Sequence, residues 1–249
     1  MRLFFRTLVA VAYLLAANPS PAGFLINPYA VAAAGAFPTV AATSDAATSS
    51  STSHTITLPS GIVSGGLVMC FITARFASSP KTAGWTWTAG WTELEDEAYD
   101  TTANSAHMGV VYRLTDGTEG STITATSAGT SEGAYSCYRI TGNHASSAPE
   151  KGTATTHSGG TSDPPNLTPS WGAADTLWIV LNSRNTAGGS TLTSYPTSYT
   201  DNQINRASAT LVRTSVANRP LNATSENPGT WGFSSGQFDV SNTFAVRPQ

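Results

Sequence analysis

The stretch from 108 to 142 constrains the fold more than any other part of the sequence, because it contains three strand-like runs and two turn signals. In each run, residues that would face one side of a sheet alternate with residues that would face the other, which is the period-two pattern of a half-buried strand. The runs are 110–115, 121–126 and 135–140. Asp116-Gly117 predicts a turn after the first run, and the glycines at 129–133 predict a second turn. The stretch therefore predicts an antiparallel meander.

Two other runs predict strands that lie deep in the protein. Residues 67–76 are almost continuously apolar, which is typical of a central strand buried on both faces, and 175–183 is the second strongly apolar run. Shorter strand signals lie at 54–58, 207–216, 231–238 and 241–246. The halves share a weak plan of a long apolar strand, a loop and an alternating strand, but no repeat has a fixed period. No helical pattern follows residue 40, so we expect an all-β fold, a jelly-roll-like sandwich of two antiparallel sheets.

Composition supports the sandwich and excludes one class of partner. Only 11% of the 249 residues are charged, whereas roughly a quarter is usual. Ser and Thr therefore take the place of Lys and Glu on the outer faces of the predicted sheets. The net charge is −3 and no basic patch or tail is present, which argues against a nucleic-acid partner.

The two cysteines, Cys70 and Cys137, each fall inside a predicted strand. Free cysteines are among the most buried residue types, so we expect two buried thiols. A single disulfide is the alternative, since a sequence does not show whether two Cα atoms come close enough to be bridged.

The first 40 residues differ from the rest of the chain. Basic residues precede an apolar run at 8–17, and the small Ala22 follows, which is the form of a secretory signal peptide. A second apolar run at 24–34 makes the segment longer than a signal needs, so we favour a retained arm, extended or with a short helix. One helical face of this arm would dock onto a partner protein; it carries Leu3, Phe4, Leu8, Val11 and Leu15. We therefore predict an arm at 1–40, an Ala/Ser/Thr linker at 41–53 and the sandwich at 54–249.

Several short motifs occur in an order that is familiar from one group of proteins. The motifs are LPSGIVSGGLVM (58–69), GWTEL (90–94), YRLTDGTEGST (112–122), YRITG (138–142) and FAVRP (244–248). The chain resembles, over roughly 50–248, a β-sandwich module common in tailed-bacteriophage structural proteins. Gly66 departs from the Asp or Glu that is more usual at that position. The resemblance implies a fold and a place among virion surface, head-decoration or tail-associated proteins, and it carries over no catalytic residue.

The residue types that support catalysis or metal binding do not form a recognisable motif. The four histidines, His54, His107, His144 and His157, have no metal-ligand spacing, and neither G-x-S-x-G run, at 129–133 or 232–236, is followed by the helical pattern that a nucleophile elbow requires. The acidic residues at 93–100 lack the spacing of a calcium loop, so we predict no metal there. The aromatic group Trp85, Trp87 and Trp91 has two interpretations: a cap on one end of the sandwich, which we favour, or a platform that stacks on a glycan.

These patterns favour a non-enzymatic virion structural protein without a cofactor. It would be a capsid-decoration, head-fibre or tail-associated component, anchored by its arm to capsid, neck or tail proteins. We expect a homo-oligomer, with a host-surface glycan as a candidate partner and no membrane contact in the mature state. The alternative is a secreted bacterial glycan-binding or adhesin module with a cleaved signal peptide.

Overall fold

The computed structural model describes residues 35–76, 84–99, 106–186, 189–208 and 211–249. Most of the predicted arm, residues 1–34, therefore lies outside the described residues. Residues 34–249 form one compact unit.

The described residues form fifteen strands and no helix, and every strand pair is antiparallel. The first half of the chain contains β1 (Thr39–Thr57), β2 (Leu67–Phe76), β3 (Thr86–Trp87), β4 (Thr92–Ala98), β5 (Ala106–Leu114) and β6 (Thr122–Thr141). The second half contains β7 (Glu150–Lys151), β8 (Thr155–His157), β9 (Thr161–Ser162), β10 (Ala174–Asn185), β11 (Leu192–Ser194), β12 (Asp201–Ala207), β13 (Val212–Ala223), β14 (Trp231–Phe233) and β15 (Asp239–Val246). The predicted all-β, antiparallel class is confirmed.

Each half of the chain builds its own main sheet, and the two main sheets have the same strand order. The first main sheet has the order β1-β6-β2-β5-β4, and the second has β7-β15-β10-β13-β12 with β8 also paired to β15. A smaller sheet, β9-β14-β11, belongs to the second half. Its counterpart in the first half has three paired segments: the end of β1 pairs with the beginning of β6, which pairs with β3. The topology is therefore repeated once along the chain, although the sequence shows no fixed period.

The strand registers identify equivalent positions in the two halves. Leu67 lies opposite Leu114 and Ile140, and Leu177 lies opposite Pro220 and Val246. Equivalent pairs fill the space between the two main sheets, which we call the central core: Leu67/Leu177, Met69/Ile179, Phe71/Leu181, Val110/Val216, Tyr138/Phe244 and Ile140/Val246. The equivalent residues Thr73 and Ser183 also touch each other, with 2.8 Å between their hydroxyl oxygens. The halves therefore pack face to face with approximate two-fold symmetry, consistent with a β-sandwich.

Both main sheets are also covered on their outer faces. The first outer core includes Val68, Cys70, Ile72, Ile56 and Trp85, and the second outer core includes Trp178, Val180, Tyr199, Ala217 and Trp231. Because β2 and β10 have a core on each side, neither strand can alternate between apolar and polar residues. This arrangement confirms that 67–76 is a strand buried on both faces.

Cys70 and Cys137 form a disulfide, so the expectation of free thiols is wrong. The two residues are direct partners in β2 and β6, and their Cα atoms are 4.1 Å apart. The equivalent positions in the second half hold Val180 and Thr243, which are also direct partners. The bond depends on the register of two strands that are far apart in sequence, and this register cannot be obtained from composition or alternation.

The linker expected at 41–53 is instead the larger part of β1, which is 19 residues long and pairs with β6. The turn predicted at 129–133 is likewise wrong, because β6 continues through it as one strand of 20 residues. Register shifts on both sides of Ser51, the larger of which leaves 127–130 of β6 without partners in β1, allow the pair to bend. Gly133 serves close packing: a Cβ there would lie 2.5 Å from the Thr48 hydroxyl oxygen.

We expect a chain shortened to residues 35–249 to fold, because all fifteen strands lie within it. Circular dichroism should show β structure, and heating should give one cooperative transition like that of the full chain. A shortened chain that lacks this transition would contradict the prediction.

Candidate functional site

The second half contains a buried ion pair between Arg184, near the end of β10, and Asp239, the first residue of β15. Both side chains have no solvent exposure, and Arg184 Nη1 contacts Asp239 Oδ2. Arg184 Nε donates to Ser190 Oγ at 3.1 Å, while Nη2 donates to the carbonyl oxygens of Gly159 (2.8 Å) and Ser235 (2.7 Å). Desolvation lowers the pKa of Arg184, and the Asp239 carboxylate opposes this shift. The guanidinium is thus held by several acceptors inside the protein.

Ser162 and His157 adjoin Asp239, so this cluster holds the residue types of a catalytic triad. Ser162 Oγ lies 2.6 Å from Asp239 Oδ1 and 3.1 Å from His157 Nδ1, and the same Nδ1 lies 3.4 Å from Asp239 Oδ1. In a triad, the histidine faces the serine with one ring nitrogen and the carboxylate with the other. Here one nitrogen faces both. The Asp163 N–H donates to Nε2 at 3.3 Å, so in the neutral ring Nδ1 carries the hydrogen and cannot accept the serine proton. The geometry does not support nucleophilic catalysis.

Glu95 connects the first main sheet to the second. It lies on β4, is buried, and its Oε1 is 2.7 Å from Lys151 Nζ. Asn242 Nδ2 donates to Glu95 Oε2 at 2.5 Å. The most buried carboxylate of the predicted acidic cluster is therefore bound by groups of the second half.

Glu93 of the acidic cluster also makes a contact within the protein. Trp87 Nε1 donates to Glu93 Oε2 at 2.8 Å, and burial raises the pKa of Glu93. Asp100 lies outside the described residues. Among the described residues, no group of three His, Cys, Asp or Glu side chains is placed to hold a metal ion. The absence of a metal at 93–100 stays a prediction.

The three tryptophans pack over the first outer core. Trp85 belongs to that core and is 7% exposed, while Trp87 and Trp91 are partly buried against it. The rings of Trp85 and Trp87 are 5.8 Å apart. Trp85 therefore has no free face to stack on a sugar. For Trp87 and Trp91, the cap and the glycan platform both stay predictions. The five predicted docking residues of the arm lie outside the described residues: Leu3, Phe4, Leu8, Val11 and Leu15.

Two histidines are buried in the first half. His54 lies between two hydroxyls, with Nδ1 2.7 Å from Thr48 Oγ1 and Nε2 3.0 Å from Ser131 Oγ. His107 packs edge-on against Phe76, with 4.5 Å between the ring centroids. Desolvation lowers the pKa of both histidines, and that of His107 falls to about 4.

The His107 shift predicts that stability falls below pH 6.5. The folded state resists protonation until about pH 4, whereas the unfolded state takes up a proton near 6.5, so acid favours unfolding between these values. We expect the His107 contribution to decrease by about 2 kcal/mol between pH 7.5 and pH 5. Urea denaturation at both pH values measures this loss. His107→Gln should reduce the pH dependence by this amount, and an unchanged dependence in that variant would contradict the assignment.

A groove of about 490 Å³ lies at one end of the molecule, and the sequence patterns did not indicate it. Its wall includes His144, Trp171, Asp175, Asn222 and Arg247. Asp175 and Asn222 are cross-strand partners in β10 and β13, and Asn222 Nδ2 donates to Asp175 Oδ1 at 2.7 Å. The only sequence signal was a tryptophan shortly before an apolar strand and an aspartate at the start of that strand.

The equivalent end of the first half is smaller. By strand register, Gly65 and Thr141 are the counterparts of Asp175 and Arg247. The cavity that contains Gly65 and Thr141 measures about 170 Å³. A salt bridge also occupies this end, between Arg113 Nη2 and Asp116 Oδ2 at 2.9 Å. Arg139 also lines the smaller cavity, so the groove of the second half differs by its larger volume and by its aromatic wall.

Comparison of the chain with family models, with curated proteins and with solved structures finds no match. In the part of the chain that the structure describes, no helix is long and apolar enough to cross a membrane.

Proposed function

We propose that this protein is a non-enzymatic structural component of a tailed-phage virion, exposed on the particle as a capsid-decoration, head-fibre or tail-associated protein. One observation carries the proposal: the two buried clusters that hold catalytic residue types use them in internal contacts. The Ser162, His157 and Asp239 cluster has the wrong geometry for a triad, and Glu95 is bound by Lys151 and Asn242.

The construction of the sandwich suits a particle surface. Each main sheet is covered on both faces, and the Cys70–Cys137 disulfide links two central strands. Disulfides persist in oxidising surroundings, such as virion surfaces and the extracellular space. The resemblance to phage β-sandwich modules and the low charge of the chain support the same placement.

The proposed anchor is the arm predicted at 1–40, without Thr39 and Val40, which begin β1. Its apolar face would be buried against capsid, neck or tail proteins, and the sandwich would form homo-oligomers on the particle. The sandwich as a whole would be jelly-roll-like. In support, strands of a main sheet continue into a smaller sheet that covers its outer face, as β1 and β6 do.

The disulfide also favours a second candidate, a secreted bacterial adhesin or glycan-binding module. Proteins acquire disulfides during export, and residues 1–22 have the form of a cleavable signal. In this candidate the mature chain would begin near Gly23 and would be found free of particles.

Purification of particles followed by mass spectrometry separates the two candidates. A virion component should co-purify with intact particles at stoichiometric copy number and should keep its N-terminal residues. A secreted module should occur in the particle-free medium and start near Gly23. The second result would replace the virion proposal.

A pair of double variants tests the anchor. Leu8→Asp with Val11→Asp places charges on the proposed docking face and should prevent incorporation into particles, since burying an unpaired charge is strongly unfavourable. Tyr13→Asp with Ala17→Asp adds the same charge on the opposite side of the helical projection and should be incorporated better. Equal incorporation of both double variants would contradict anchoring through this face.

A further inference from the structure

We propose that the groove lined by Trp171, Asp175, Asn222 and Arg247 binds a hexose ring of a glycan. The inference rests on the proposed function, because a protein exposed on a particle can contact the host-surface glycan that the sequence analysis named as a candidate partner. The sequence placed a candidate glycan contact on the tryptophans of the first half, whereas this groove lies in the second half. The chemistry of the groove is the basis for this assignment.

Trp171 supplies an aromatic wall that is fixed in place. It packs against the second outer core and also lines the groove. Its Nε1 donates to Thr176 Oγ1 at 3.0 Å, which sets the orientation of the ring. A tryptophan ring held in this way loses little conformational entropy when an apolar face of a sugar stacks on it.

Asp175 and Asn222 supply paired acceptors and donors on neighbouring strands. The 2.7 Å bond between Asn222 Nδ2 and Asp175 Oδ1 fixes both side chains. A carboxylate has two oxygens and about four acceptor positions, and an amide keeps a second N–H and its oxygen for other partners. Two adjacent hydroxyls of a sugar ring present donors and acceptors at a comparable spacing.

Arg247 supplies cationic donors to the same groove. The side chain is exposed, and the hydrogen bond from its Nη1 to Ser147 Oγ is long, at 3.4 Å. Sugar hydroxyls accept from a guanidinium as readily as they donate to a carboxylate. The negative Asp175 disfavours an anionic ligand, and the charged walls disfavour a purely apolar one, so a neutral polyhydroxylated ring fits best.

Comparison with the equivalent cavity of the first half indicates that the groove is not a general property of the fold. The counterparts of Asp175 and Arg247 there are Gly65 and Thr141, which carry no charge, Arg139 is the charged residue that lines the cavity, and the cavity is about one third as large. The tryptophans of the first half are engaged with its outer core. Groove volume, aromatic wall and hydrogen-bonding groups therefore coincide in the second half.

Saturation-transfer NMR on the full chain tests the proposal. The probes are the methyl glycosides of glucose, galactose and mannose at millimolar concentration, followed by a glycan array. We expect at least one probe to receive saturation through its ring protons. Asp175→Ala combined with Arg247→Ala should weaken binding by at least about tenfold, since each removes hydrogen bonds to the sugar. Thermal melts should show that the variant is folded.

Two matched variants serve as controls. Asp45→Ala with Arg206→Ala removes a comparable acid and base from another surface and should leave binding unchanged. Trp87→Phe with Trp91→Phe should also leave it unchanged. No binding by any methyl glycoside or array glycan would overturn the proposal, as would binding that depends on Trp87 and Trp91 and not on Asp175 and Arg247. These assays use isolated protein, so their outcome is independent of whether the protein co-purifies with particles.

Discussion

Replacing Asp239 by Asn is expected to lower the free energy of unfolding by about 3–5 kcal/mol, because it leaves the buried Arg184 guanidinium without its counter-ion. Neither side chain has any solvent exposure. An arginine does not lose its proton in a protein, so the positive charge stays in the interior. The Gly159 and Ser235 carbonyl oxygens can share that charge but cannot neutralise it.

The chain offers a matched control in the pair of Asp45 and Arg206, whose side chains are 26% and 43% exposed. Asp45→Asn should cost at most about 1 kcal/mol, because water screens this pair. Arg184→Met combined with Asp239→Leu removes both buried charges and should be more stable than Asp239→Asn alone. Chemical denaturation of the variants gives the comparison. If Asp239→Asn costs no more than Asp45→Asn, the buried pair does not have the role described.

Removing the disulfide is expected to lower the free energy of unfolding by about 4 kcal/mol. Cys70 and Cys137 are 67 residues apart, and a loop of this length in the unfolded chain loses entropy equivalent to about 4 kcal/mol when it is closed. The folded state should be little affected, because two cores hold β2 in place.

The second half suggests the best replacement. Cys70→Val with Cys137→Thr copies Val180 and Thr243, which are partners at the equivalent positions. This variant should keep the fold and lose the stability that the cross-link adds, and adding a reductant should no longer change its denaturation midpoint. Two thiols titrated in the unreduced, denatured wild-type protein would show that no disulfide forms.

The sequence predicted the features that depend on local patterns. The apolar run at 67–76 is β2, and the turn at Asp116-Gly117 lies between β5 and β6, with Gly117 at a φ of 92°. The all-β class followed from alternation and turn residues alone. These features depend on the nearest neighbours in the chain, which a sequence shows directly.

Errors arose where a distant strand decides the structure. Residues 41–53 read as a linker because Ala, Ser and Thr have no apolar alternation, yet pairing with β6 makes them a strand. The strand expected at 207–216 combines the end of β12 with the beginning of β13, since a similar alternation continues across the hairpin. The sequence did not reveal the repeated topology, because equivalent positions in the two halves share burial and need not share residue identity.

The candidate sites were equally dependent on distant contacts. Asp175 and Asn222 are 47 residues apart and meet only because β10 pairs with β13. Arg184 and Asp239 meet through the pairing of β10 with β15. The tryptophans of the first half attracted attention because they are close in sequence, whereas Trp171 is isolated in the chain.

The repeated topology also separates the covalent order of the chain from its order in space. Gly35 lies beside the end of the chain: a Cβ on this residue would be 2.9 Å from the carbonyl oxygen of Gln249. The two halves pack against each other, but the chain connects them through one segment, between β6 and β7. A circular permutant that opens this segment between Ala148 and Pro149, and joins Gln249 to Gly35 through a short spacer, would exchange the two halves in the gene and keep every strand pair.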